Sequence, residues 1–274
     1  MKLRNIPVAL QLYSVRDSLE ADFKGTLEKV KAMGYSGVEF HDLFGNDPKE
    51  VKKWLTAIGL VPVSAHIPLD DMIADPEGPV GAYKEIGCTM VAMPWLAEER
   101  RPGQPLYEET VKAIEKLAAY CKANDMKLVY HNHDFEFVKP EGSDEYCLDI
   151  MYSQIPDLYA ELDLCWVKVA GEDPVKYIKK YADRSPIIHY KDFYMPGKKA
   201  QNLYKLIGTT VDVVEDDAIF EFRPVGYGQQ SWMDITDAVV EAKIPWIVVE
   251  QDEPTLNMVP LDCVKKSLEY IATL

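Results

Sequence analysis

Several things are scarce in this 274-residue chain, and each scarcity excludes something. Basic residues fall short of acidic ones: 30 Lys and Arg against 45 Asp and Glu leave a formal net charge of -15. Phosphate backbones are gripped by Lys and Arg, so no nucleic-acid partner is expected. No apolar run approaches the roughly 20 residues of a membrane-spanning helix, so no membrane partner is expected either. The opening MKLRNIPVALQLYSVRD has too brief an apolar stretch for a secretory signal. The five cysteines (Cys88, Cys121, Cys147, Cys165, Cys263) are odd in number, scattered, and form no C-x-x-C pair. That argues against a disulfide framework or a thiolate zinc site, and for reduced thiols in a cytoplasmic protein. No stretch rich in Gly, Ser or Pro divides the chain, so one domain over 1–274 is expected. Histidine is scarce too, with five in all.

What is present is an ordinary globular composition, 47% apolar and 27% charged, which excludes disorder and collagen-like repeats. Short β-like runs alternate with amphipathic helical patterns. Strands are predicted at Pro7–Tyr13, Gly37–His41, Leu60–His66, Cys88–Pro94, Lys127–His133, Leu158–Trp166, Pro186–Asp192 and Trp246–Glu250. Between them, apolar residues recur three and four apart, as helices require. Leu19, Phe23, Leu27, Val30 and Met33 predict one helix ended by Gly34. Others are predicted over Asp47–Ile58, over Glu108–Ala123, and at the end around Leu261, Val264, Leu268 and Ile271.

Eight such alternations predict a single (β/α)8 TIM barrel. A doubly wound open sheet would normally carry a Gly-rich turn after its first strand, and here that segment reads YSVRDSLEAD. The one irregularity is Phe193–Pro245, between strands seven and eight. It holds a helix near Ile235–Ala242 and the segments KKAQNLYKL and DDAIFEFRPVGYGQQSW. It reads as a long insertion over the top of the barrel, where such loops build active sites.

The C-terminal strand ends are where barrels of this kind do chemistry. They carry Gln11, Glu39, His66, His131, His133, Asp163, His189, Lys191 and Glu250. Four of the five histidines are in that set, and the fifth, His41, follows Glu39 by two. His131 and His133 share a parity, as do His189 and Lys191, so each pair points into the mouth together. Imidazoles and carboxylates converging from several strands make a site for one divalent cation. The quartet His131, Asp163, His189 and Glu250 is the expected ligand set; it suits Mn, Zn, Co or Fe, and Mg less readily.

The strings ALQLYSVRD, GYSGVEF, SAH, YHNHDFEF, ELDLCW, HYKD and VVEQD occur in that order. Over essentially its whole length the chain thereby resembles the xylose isomerase-like barrel superfamily. The branch is that of sugar phosphate isomerase/epimerases, relatives of ketose 3-epimerases, inosose dehydratases and 3-dehydroshikimate dehydratases. The resemblance implies one divalent cation held by a Glu from strand five, an Asp from six, a His from seven and a Glu from eight. Asp163, His189 and Glu250 match that pattern. At strand five the chain departs from it: His131-Asn132-His133 stands where many members read E-N-H, and Glu136 is the other candidate for the missing carboxylate. Trp166 stands where several epimerases have a histidine, and His189-x-Lys191 is similar to the dehydratases, whose lysine contacts substrate.

The chemistry so implied is proton abstraction next to a carbonyl, with the cation stabilising the charge that forms. Glu250 or His133 is the expected base, and Lys191, His66 and Glu39 the expected partners of hydroxyls or the carbonyl. Trp95, Trp166 and Trp232 offer ring faces to a sugar, and Arg223 is the best candidate for an anionic substituent. With -15 overall and no phosphate-binding loop, a neutral sugar or polyol is favoured over a phosphorylated one. The leading expectation is an isomerase or epimerase of a ketose or related sugar. The alternatives are a lyase dehydrating an inosose-like or 3-keto sugar, and a non-catalytic sugar-binding barrel. The endonuclease relatives of the superfamily need a histidine-rich multi-metal site and a basic surface, which five histidines and -15 do not supply. Barrels of this family often self-associate, so a homo-oligomer is an expectation that no segment of the sequence localises.

Overall fold

The apolar runs become eight parallel strands wound into a barrel with helices between them. A computed structural model describes residues 6–198, 203 and 218–274. In chain order the strands are β1 (Val8–Gln11), β2 (Gly37–Phe40), β3 (Val61–Ala65), β4 (Met90–Met93), β5 (Lys127–His131), β6 (Tyr159–Asp163), β7 (Ile187–Tyr190), β8 (Asp192–Tyr194), β9 (Glu221–Arg223) and β10 (Trp246–Val249). The barrel runs β3-β2-β1-β10-β7-β6-β5-β4. It closes where His66 bridges Ala92 and the Ile67 amide donates to the Ala92 carbonyl at 2.8 Å. The fold expectation holds: this is a (β/α)8 TIM barrel.

Parallel strands buried on both faces read as continuous apolar runs, and MVAM and WIVV are such runs. Side chains alternate between two environments. One set packs outward against the helices. The other fills the barrel: Ala9, Val63, Met90, Ala92, Val129, Ile187 and Val248 form an apolar plug. Two residues further along the same strands, the period of two points Gln11, His131, His189 and Glu250 the same way. The plug therefore gives way to buried polar groups toward the C-terminal end of the barrel.

Three expectations are adjusted. The single helix expected from Leu19 to Met33 is two, Arg16–Ala21 and Phe23–Met33. Asp22, at φ -156°, leaves the helical region, and its carboxylate accepts from the Gly25 amide at 2.9 Å to start the second helix. Strand six stops at Asp163 instead of Trp166, because Asp163 caps a new helix, Leu164–Val169. Strands five and seven are also shorter than expected, so His133 and Lys191 lie just past the strand ends.

Part of the insertion is seen as an antiparallel hairpin, β8 with β9. Asp192 anchors it from below. Its carboxylate accepts from the Gly226 and Gly228 amides, both at 3.0 Å, and from the Trp232 indole at 2.8 Å. Any Cβ on Gly228 would lie 2.2 Å from Asp192 Oδ1, so only glycine allows that approach. Phe193 and Phe222 then pack on Cys165, Trp166 and Val169. Of KKAQNLYKL only residues 198 and 203 are among the described residues, and most of that segment falls outside them. The helix expected near Ile235–Ala242 begins earlier, at Trp232–Glu241. All five cysteines are free and buried. Among the described residues no helix is long and apolar enough to cross a membrane.

Candidate active site

β5, β6, β7 and β10 bring His131, Asp163, His189 and Glu250 together. Each offers one ligand atom, and the four atoms lie within 4.8 Å of one another. All four residues are buried. Asp163 is fixed by its helix cap: Oδ1 accepts from the Cys165 and Trp166 amides at 2.8 and 3.1 Å. Asn132 clamps its backbone from the neighbouring strand, accepting from Asp163 N at 3.0 Å. That leaves Asp163 Oδ2 buried with no hydrogen-bond partner, 3.5 Å from His131 Nε2. Glu250 Oε2 sits 3.1 Å from His189 Nδ1.

A second layer lies against the far side of the same imidazoles. Glu161 Oε1 is 3.1 Å from His131 Nδ1, 2.7 Å from His66 Nε2 and 3.2 Å from His189 Nε2. Glu39 Oε1 is 2.8 Å from His189 Nε2 and accepts from the Gln11 amide at 2.7 Å. A carboxylate accepts only, so the ring nitrogen facing it carries the hydrogen and the other nitrogen keeps its lone pair. The lone pair of His131 Nε2 thus faces Asp163 Oδ2, whereas His189 has a carboxylate at each nitrogen, Glu39 at Nε2 and Glu250 at Nδ1. A divalent cation fits that donor set of two imidazoles and two carboxylates.

The electrostatics separate the two rings: burial works downward on His189, but the Glu39 and Glu161 carboxylates outweigh it and raise that ring well above its ordinary range. Burial holds His131 down at about 4, so its imidazole is neutral. Burial pushes the Asp163 carboxyl up to about 7, which a bound cation would reverse. For His66, burial works downward but the Glu39 and Glu161 carboxylates outweigh it and hold the ring at about 10. Glu250 is raised by burial yet held well below the carboxylate range by Lys191 and His189.

Above the quartet opens a cavity of about 260 Å³. His66, Trp95, His131, His133, Lys191 and Glu250 line it, with Tyr13, His41 and Asp252. Lys191 Nζ lies 2.8 Å from Asp252 Oδ1 and 3.0 Å from Glu250 Oε2, between the rings of Trp166 and Phe222. Burial would release its proton, but Asp252 and Glu250 hold the ammonium well above its ordinary range. His133 stacks on Phe135 with centroids 5.0 Å apart, and burial keeps it neutral. Its Nδ1 is buried with no hydrogen-bond partner.

Not every expected residue reaches this wall. Glu39 is fully buried under the quartet. Trp166 is buried too, stacked on Phe220 beneath the hairpin. Trp232 is committed to Asp192. Arg223 pairs with Glu221 and lies over the Tyr194 ring. Glu136 turns away from the quartet: one oxygen accepts from the Tyr130 hydroxyl, the other from the His133 amide at 2.7 Å. Its carboxyl, raised by burial to about 8, folds its own turn. Two residues escaped the sequence reading. Glu161 stands two before Asp163, so the same period of two that paired His131 with His133 would have found it. Asp252 stands two past Glu250, beyond the strand end, where that signal stops.

The chain matches the family model described as "Xylose isomerase-like TIM barrel" over residues 27–274. An inosose dehydratase of Lacticaseibacillus casei is 21% identical, over 92% of this chain and 89% of that relative. A sugar phosphate isomerase/epimerase from Parabacteroides distasonis superposes with a TM-score of 0.73 at 18% identity, covering 98% of this chain and 96% of that one. An L-ribulose 3-epimerase superposes with a TM-score of 0.68 at 13% identity, covering 98% and 94%.

Proposed function

We propose a reaction from one premise: the chain belongs to the xylose isomerase-like TIM barrel family. Its members and neighbours point to an enzyme acting on sugars, by isomerisation, epimerisation or dehydration. Our reading is a divalent-cation-dependent lyase that removes water from a neutral polyol ketone of the inosose kind.

The observation that carries this reading is the commitment of His131. One nitrogen faces Glu161 and the other faces Asp163, so neither is free to move a substrate proton. The His131 position therefore supplies no second base to match Glu250, and the site is asymmetric. Elimination needs that asymmetry: one group takes a proton and another gives one.

His131, Asp163, His189 and Glu250 would hold the cation, which supplies polarisation of the substrate's carbonyl and hydroxyl oxygens. Glu250, on the cavity wall, takes the proton from the carbon next to the carbonyl. The Lys191 ammonium faces the same cavity and donates to the departing hydroxyl, which leaves as water. Glu250 and Lys191 are 3.0 Å apart, so the proton taken by the carboxylate passes to the amine and restores both groups. His66, His133 and Trp95 line the space that the remaining hydroxyls and C–H face would occupy. Lys191 already serves two carboxylates, His66 faces Glu161 and Glu39, and Arg223 is engaged elsewhere, which favours an uncharged substrate.

A second reading, epimerisation of a ketose, is favoured by His133. Its neutral ring lines the cavity, keeps a buried nitrogen without a hydrogen-bond partner, and would serve as the other base. Incubation with metal and a panel of inososes and ketoses in deuterated water separates the readings. Loss of one water supports the lyase. Carbon-bound deuterium without mass loss supports the epimerase. Sugar binding with neither result would leave a non-catalytic barrel.

A further inference from the structure

Two groups of residues near the barrel mouth have the composition of a metal site: His131, Asp163, His189 and Glu250, and below them His66, His131, Glu161 and His189. They share two imidazoles and use opposite nitrogens of each. His131 presents Nε2 upward and Nδ1 downward; His189 presents Nδ1 upward and Nε2 downward. A neutral imidazole has one lone pair, so each ring serves one group as ligand and the other as hydrogen-bond donor.

For His131 the contacts decide which; His189 has a carboxylate at both nitrogens. In the lower group one oxygen, Glu161 Oε1, is met by three ring nitrogens at 2.7, 3.1 and 3.2 Å. Those are hydrogen-bond lengths, and the acceptor is a carboxylate that can only accept. In the upper group Asp163 Oδ2 has no hydrogen-bond partner, and His131 and Glu250 border the cavity. The upper group opens to substrate; Glu161 below it is fully buried.

We propose that Glu161 is the positioning carboxylate of the cation site: it takes the Nδ1 hydrogen of His131 and so aims that ring's Nε2 lone pair at the cation, while it shares the Nε2 hydrogen of His189 with Glu39. This rests on the cation reading of the site above. It assigns to Glu161 a role that touches neither substrate nor metal. It also makes the lower group a support and not a second ion site, with one cation bound per chain. The negative charge of Glu161 reaches the metal through the rings, raising their basicity as ligands.

The test begins with metal-free protein and nitrogen-detected NMR of the histidine rings. His131 is expected as the Nδ1–H tautomer in the wild type, and Glu161→Gln is expected to shift or mix that tautomer. Calorimetric titration with Co²⁺ and Zn²⁺ then reads affinity and stoichiometry. The wild type is expected to bind one equivalent, and Glu161→Gln to bind it about 10- to 100-fold more weakly while keeping all four ligands. A second variant guards against a merely structural loss. In a His131→Glu background the ring is gone, and Glu161 faces a like charge. There Glu161→Gln should lose the weakening that acts through His131 and relieve the like charge, leaving affinity unchanged or raised. Two equivalents bound, or a wild-type His131 hydrogen on Nε2, would overturn the assignment of Glu161. No binding of either metal by the wild type would instead remove the cation reading, and the tautomer measurement would still decide what Glu161 does to His131.

Discussion

Two layers of the barrel interior lie one pleat apart on the same strands and have opposite chemistry. The lower layer is Ala9, Val129, Ile187 and Val248, wholly apolar with its neighbours. The upper layer, two residues on, is Gln11, His131, His189 and Glu250, all buried. Both layers stand on the same strands, or for Glu250 on the residue that follows its strand. What changes is the cost of burial: an apolar side chain contributes roughly 1.5–3 kcal/mol when buried, whereas a buried ionisable group costs free energy unless it is paired. The upper layer is tolerable because Glu250 faces the Lys191 ammonium and His189, and because the Glu39 and Glu161 carboxylates below face ring nitrogens. The lower layer secures the fold so that the upper one can be held in an arrangement that folding alone would not select.

The widest separation between the layers should come from Glu250→Gln. The substitution keeps shape and hydrogen bonding but removes the base and one negative ligand. General-base catalysis contributes about 10²–10⁴-fold, and kcat on a turned-over polyol ketone should fall by at least that much. Circular dichroism should show the barrel intact. A variant retaining near wild-type kcat would transfer the base role to His133.

The opposite break is Ile187→Ala, in the lower layer on the strand that carries His189. It should cost about 2–5 kcal/mol in denaturant unfolding, as large-to-small core changes do. Cation affinity of the folded protein should not change, because no contact of His189 is removed. If affinity fell in step with stability, the two layers would not be separable.

How much of this division was legible in the sequence follows from the same pleat. The barrel was readable because strand and helix periods alternate eight times and because no Gly-rich turn or linker suggests another architecture. The upper-layer residues His131, Asp163, His189 and Glu250 were readable because titratable groups stand out at the ends of apolar runs. Glu161 was not singled out, although it obeys the same period, since an acid inside a strand carries no mark of whether it supports a ligand or is one. Trp166 and Arg223 pointed toward substrate by residue type alone; the hairpin that buries one and the acid that occupies the other are long-range contacts. The break at Asp22 was hidden because apolar spacing runs straight through it, and only the capping carboxylate tells two helices from one.

Cation binding sharpens the comparison from the upper side. A ligand that binds only the folded state stabilises by about 2.7 kcal/mol at one hundred times its dissociation constant. Zn²⁺, Co²⁺ or Mn²⁺ at that level should raise the melting temperature of the wild type. Mg²⁺ at equal concentration should raise it less, because half of the donor set is imidazole and Mg²⁺ prefers oxygen. Equal shifts with Mg²⁺ would mean that the two histidines are not ligands.

The smallest expected effect tests whether the upper layer ends at the strands or continues into the hairpin. Asp192 follows Lys191 and holds the Gly226 and Gly228 amides and the Trp232 indole with a carboxylate. Asp192→Asn keeps the shape but removes the charge and offers only one accepting oxygen. Hydrogen bonds to charged groups contribute about 1.5–3 kcal/mol, and partial retention should leave a loss of roughly 1–2 kcal/mol. The hairpin also carries Phe222, which lies over the Lys191 ammonium. Loosening it should let water reach that amine, so kcat should fall while cation affinity stays as it was. A loss of stability with kcat unchanged would make the hairpin a cover for Trp166 alone. A loss of both would extend the functional layer past the barrel and give the insertion a share in positioning the acid.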